Sequence, residues 1–189
     1  MFAFKKKYYL IIESIKDIDL RKIKKRGKFV IIYRYLKNKE DIQNLKIFRK
    51  KCKIRLIDFF VANNLNLAIS LNSDGIYLSS YNKSFKALNL IRSNFQIIGS
   101  AHNFLEIYKK MKQGCDNIIL SKLFKVDYDP KAKFLDTIKF NNLSSHHGNL
   151  IPLGGIKINN LNKMKTLRSK SFAIMSEIKK KPAISSRLF

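Results

Sequence analysis

Eight short, near-continuously apolar runs punctuate this chain of 189 residues. They are Tyr8–Ile12, Phe29–Tyr35, Leu56–Val61, Ile76–Ser79, Gln96–Ala101, Asn117–Ser121, Leu150–Leu153 and Phe172–Met175. Runs this short suit strands, and their lack of apolar–polar alternation means burial on both faces, as in a parallel sheet. Amphipathic stretches lie between them. Asn38–Lys53 carries Ile42, Leu45, Ile47 and Phe48 among charged residues, and Leu65–Leu71, Phe85–Arg92 and Asn159–Ser169 also predict helices. Phe104–Gln113 predicts another, with Gly114 closing it. Lys122–Asp136 predicts a long polar loop containing one proline. Repeated β/α units in one domain, residues 1–189, give an α/β fold. A compact (β/α)8 TIM barrel is the most economical closure, with a doubly wound sheet as the alternative. The chain is short for a barrel, where ~250 residues is typical. Lys179-Lys180-Lys181 runs straight into Pro182, so the eighth helix is expected to be truncated.

A hydrophobic fraction of 46% is enough for a substantial core, and no apolar run reaches the length of a membrane span. The start, Met1 to Lys7, precedes only five apolar or aromatic residues before Glu13, too few for a signal peptide. A cytoplasmic protein is expected. Cys52 and Cys115 have no Cys or His at metal-ligand spacing and suit packed or surface thiols better than a nucleophile. The net charge of +26 invites a polyanion partner. However, lysine dominates arginine, Ile and Asn are also abundant, and the charge runs along the whole chain. Compositional drift explains this better than a nucleic-acid interface, and no RNA- or DNA-binding motif is present.

Two run ends carry chemistry. Ile151-Pro152-Leu153 stops at Gly154-Gly155, and Ala173-Ile174 stops at Met175-Ser176. Glycine amides at a strand end make a phosphate cradle, and in barrels that cradle follows strands seven and eight. A plain strand-to-helix turn is the alternative at the glycines, and a helix cap at Ser176. Arg34 ends an apolar run on the face of Ile32 and Leu36, where it needs an anion: a ligand phosphate, or a carboxylate such as Glu13 or Asp58. His102 ends the fifth run and suits a general acid/base or a structural role. Ser100, two residues before it, suits a ligand contact. His146-His147 has no neighbouring carboxylate and makes a poor metal site. Lys122, Lys125, Lys131 and Lys133 suit a phosphate-closing loop or a solvated face.

Several motifs in order resemble one family. They are Val61-Ala62-Asn63-Asn64-Leu65-Asn66-Leu67-Ala68, Ser73-Asp74-Gly75-Ile76-Tyr77-Leu78, Ile97-Ile98-Gly99-Ser100-Ala101-His102, Gly114-Cys115-Asp116 through Phe124, Ile151–Ile156 and Ala173-Ile174-Met175-Ser176. From about Val30 to Ala183 the chain resembles the thiamine-phosphate synthase/TenI-like family. The resemblance implies a barrel that binds phosphorylated thiamine precursors, often as a homodimer. Its synthase branch joins thiazole phosphate to hydroxymethylpyrimidine diphosphate with magnesium, and its TenI-like branch includes a thiazole tautomerase that uses the histidine matching His102. Departures are clear. The family's Gln-x-Arg-x-Lys clamp reads Ile32, Arg34 and Leu36, with Lys37 next door. The two magnesium carboxylates fall on Asn63 and Asn82. The loop after the sixth strand reads Lys125–Lys131 in place of the family's Thr- and Lys-containing segment. The resemblance therefore implies synthase chemistry, with a TenI-like isomerase or a non-catalytic phosphate-binding barrel as alternatives. Its implied site is Arg34 and His102 for catalysis, Gly154, Gly155, Met175 and Ser176 for phosphate, and Ser100, Lys37 and Lys125 for substrate.

Overall fold

The computed structural model describes residues 7–35, 40–88 and 95–175, apart from the side chain at 158. Eight parallel strands form one sheet: β1 (Lys7–Ile12), β2 (Phe29–Tyr33), β3 (Asp58–Ala62), β4 (Gly75–Leu78), β5 (Gln96–Ala101), β6 (Asn117–Ser121), β7 (Leu150–Leu153) and β8 (Ser171–Ile174). Neighbours in space are neighbours in sequence, and β8 returns to pair with β1, Tyr9 opposite Ala173. The result is a nearly closed TIM barrel. At the seam, the Ser169 hydroxyl just before β8 donates to the Leu150 carbonyl of β7 at 2.8 Å.

Strand alternation builds two cores. Inside the barrel pack Tyr9, Ile11, Val30, Ile32, Phe60, Tyr77, Ile98, Ile119, Ile151 and Ala173. The intervening residues point outward. Tyr8, Leu10, Phe29, Ile31 and Phe59 meet the apolar stripes of α1 (Ile42–Ile54) and of the helices that follow. Each buried large side chain contributes about 1.5–3 kcal/mol. Double burial explains why the sequence shows continuous apolar runs instead of alternation. Two aspartates fix the strand entrances: Asp74 accepts from the Phe59 amide and Arg49, and Asp116 from the Ile97 amide.

The helices differ more from expectation than the strands. Asp41 caps α1 through the Gln43 and Asn44 amides, so the helix starts later than Asn38. Next come α2 (Leu65–Ser70) and α3 (Phe104–Lys112). Gly114 follows α3 with φ 73°. No helix was expected over α4 (Asp136–His146), which begins where the expected polar loop Lys122–Asp136 ends. Leu135 precedes it without a side-chain cap, and its buried side is carried by Phe140 and Ser144 alone. The helix expected over Asn159–Ser169 is a 3-10 helix, Ile158–Thr166. The described part of Phe85–Arg92 forms turns, and its remainder lies outside the described residues, as does the expected truncated helix beyond 175. Strand β2 ends at Tyr33, two residues short of the expected run. No helix among the described residues is long and apolar enough to cross a membrane.

Candidate active site

Two cavities open side by side at the C-terminal ends of the strands, and Arg34 lines both. It leaves β2 beside β1, its amide donating to the Ile12 carbonyl at 2.8 Å. Asp58, one suggested partner, sits at the opposite end of the barrel in an ion pair with Lys7. Among the described residues, no carboxylate lies within ion-pair distance of Arg34. Below it, burial raises the pKa of the Tyr77 hydroxyl, opposed by hydrogen bonding from Ser100 and Arg34. Ser100 is 7% exposed and lines neither cavity.

The first cavity, about 490 Å³, is lined by Arg34, His102, Lys122, Gly154, Gly155 and Met175, among others. The ends of β7 and β8 thus share one mouth. Both glycines have left-handed φ values, 99° and 66°. Their carbonyls are used: Gly154 accepts from the Phe124 amide at 3.0 Å, and Gly155 from Asn160 Nδ2 at 2.7 Å. A Cβ on Gly155 would stand 2.5 Å from the Lys125 carbonyl oxygen. Backbone crowding and backbone conformation both require glycine here.

The loop after β6 is anchored, not free. Leu123 donates to the Leu153 carbonyl at 2.8 Å, and Leu123, Phe124 and Val126 are buried. Lys122 Nζ pairs with Asp129 at 2.8 Å and lies over the Tyr128 ring. Lys125 is exposed and does not line the cavity. Ser176 and Lys37 lie outside the described residues.

His102 is held by a partner the sequence reasoning overlooked. Glu106 Oε2 accepts from the His102 amide at 2.8 Å and lies 3.0 Å from its Nδ1. Glu106 Oε1 takes the Asn103 amide group at 3.0 Å, while Asn103 Oδ1 caps the Glu106 amide. Burial works against the ionised Glu106 carboxyl, but its bonds to His102 and Asn103 hold it below the usual range. The spacing was visible as Asn-x-x-Glu at the opening of a helix, with Asn103 as its N-cap. A carboxylate on Nδ1 fixes the tautomer and presents Nε2 as the proton-transferring atom.

The second cavity, about 500 Å³, is lined by Arg34, Asn63, Asn82 and Lys86 among others. Here the two presumed magnesium positions are bonded to each other. Asn63 Oδ1 accepts from Asn82 Nδ2, the Ser79 amide and the Ser79 hydroxyl, each at 3.0 Å. Asn82 Oδ1 takes the Ser84 amide at 2.9 Å. Magnesium sites usually use one or two carboxylates, and this set supplies two occupied amide oxygens. It does not fit the ion. Among the described residues, no group of three or more His, Cys, Asp or Glu could hold a metal. Burial pushes the Cys52 and Cys115 thiols up to about 12, which suits packed thiols and not nucleophiles.

The family model for thiamine monophosphate synthase matches residues 10–178. The chain belongs to the thiamine monophosphate synthase family. A thiamine-phosphate synthase of Prochlorococcus marinus (strain AS9601) is 30% identical over 172 residues, covering 89% of this chain and 47% of that protein. One from Clostridioides difficile (strain 630) is 24% identical, covering 76% of this chain and 72% of its own length. The chain spans about half the length of the Prochlorococcus relatives it matches. A thiamine phosphate pyrophosphorylase structure from Pyrococcus furiosus superposes with a TM-score of 0.72 at 20% identity, covering 98% of this chain and 93% of that one. That likeness supports the barrel.

Proposed function

We propose that this barrel acts in thiamine biosynthesis by seating a thiazole monophosphate in the first cavity. The observation that carries the reading is the convergence of the Gly154-Gly155 turn, Met175, Arg34 and His102 on one mouth. With the glycine carbonyls turned to Phe124 and Asn160, the amide edge of the turn is left for phosphate oxygens. In synthase-type coupling, the thiazole nitrogen forms a bond to the pyrimidine methylene carbon. The carbon–oxygen bond breaks and diphosphate leaves with the electron pair. The site positions both partners, and Arg34 steadies the departing anion.

A second reading draws on the His102–Glu106 pair, which suits proton transfer to or from a thiazole ring. Incubation with both precursors separates the two. Coupled product supports the synthase. Proton exchange on the thiazole without coupling supports the isomerase. Failure to bind thiazole phosphate at all overturns both.

A further inference from the structure

Lys110 is 1% exposed and belongs to no mechanism described so far. Its stem crosses Gly99 of β5, where a Cβ would stand 3.0 Å from Lys110 Cβ. Among the described residues its ammonium meets no carboxylate. It donates to the Asn82 carbonyl at 2.7 Å and to Gln113 Oε1 at 2.8 Å. Gln113 Nε2 in turn donates to the carbonyls of Asn82 and Ser84, at 3.1 and 2.8 Å. The loop carrying Asn82 is therefore clamped from behind, and the Asn63–Asn82 pair is clamped with it. Asn63, at φ 58°, also donates to the Tyr81 hydroxyl at 3.1 Å.

The cavity in front of this wall has Arg34 and Lys86 among its lining residues and, among the described residues, no carboxylate. A buried ammonium behind the wall and two cations on it repel a further cation and attract an anion. Neutral amides whose oxygens are already used add no metal ligands. We propose that the second cavity takes a diphosphate-type anion without a divalent metal, with Lys110 as the positioning residue that locks its amide wall. This deepens the reading above and rests on it.

The test is calorimetry on the full chain with inorganic pyrophosphate, first in EDTA and then in magnesium. The affinity should agree within about twofold between the two, since fixed cations supply the charge. Binding that appears only with magnesium, or in neither condition, overturns the proposal. Thiazole phosphate titrated alongside separates the two ideas: its binding with no pyrophosphate binding condemns this inference alone, and the reverse condemns the thiazole site alone. Lys110→Met should weaken pyrophosphate about tenfold and leave thiazole phosphate unchanged. Equal loss for both ligands, or no loss, removes Lys110 from its role. Should that variant fail to fold, manganese binding by spin resonance decides. The wild-type chain should leave manganese free and N63D/N82D should capture it, whereas capture by the wild type contradicts the proposal.

Discussion

His102 Nδ1 lies 3.0 Å from Glu106 Oε2, one helical turn further along. The same carboxylate oxygen accepts the His102 amide, so ring and backbone are held by one atom. Glu106→Gln should leave thiazole phosphate affinity within about twofold while slowing proton exchange by ~10²-fold, in the range that general acid–base catalysis contributes. Exchange followed by proton NMR checks this. An unchanged rate would make His102 a purely structural residue. Because the Glu106 carboxyl is held below its usual range, its contribution to stability is complete above the ordinary carboxyl pKa and disappears as pH falls through the lowered folded value.

Lys110 predicts a dependence of the same sign in a higher pH window. Burial, opposed by Cys115 and Glu106, lowers its pKa from the usual 10.5. Between the folded value and 10.5 the unfolded chain binds the extra proton, so stability should rise with pH across that window. Lys110→Met should abolish that rise. Below the window the variant should lose about 1–3 kcal/mol, because Gln113 Oε1 is left buried without its donor. Denaturant titrations at a series of pH values test both points. A retained slope would assign the dependence to another group.

The Gly155 position combines φ 66° with a near neighbour 2.5 Å from any added Cβ. Gly155→Ala should cost about 1–3 kcal/mol and displace the turn. Thiazole phosphate affinity should fall with it. Thermal melts and calorimetry on the same sample separate the two effects. Full affinity in a destabilised variant would show that the turn is structural only.

Lys122 is held by Asp129 at 2.8 Å while lining the first cavity. Asp129→Asn should free that ammonium for a ligand phosphate and tighten phosphate binding severalfold at low salt, an advantage that fades as salt rises. Weaker binding would mean that the pair positions Lys122 for the ligand.

The strands were legible because each is buried on both faces. β5, β6 and β7 begin and end where their apolar runs do. The apolar pattern ran past β2, since Tyr35 is apolar enough to look like strand but lies beyond the paired ladder, which ends at Tyr33. Helix α4 escaped notice because it lacks a capping side chain and a clear apolar stripe. In the site, glycines and the terminal histidine announced themselves through residue type. Glu106, Tyr77 and Lys110 did not. Their meaning depends on what stands opposite them across the barrel or the helix turn, and a charged residue such as Lys110 in a lysine-rich stretch looks like surface until it is found buried. Asn63 and Asn82 were located by position, but their mutual bond was visible only in three dimensions.

An organophosphate held at the ends of β7 and β8 is detected by calorimetry with thiazole phosphate on the wild-type chain and on Arg34→Ala. Saturable one-to-one binding is expected for the wild type, weakened about tenfold or more in the variant through loss of a charged hydrogen-bonding partner. Absence of wild-type binding, or binding indifferent to Arg34, would contradict that site.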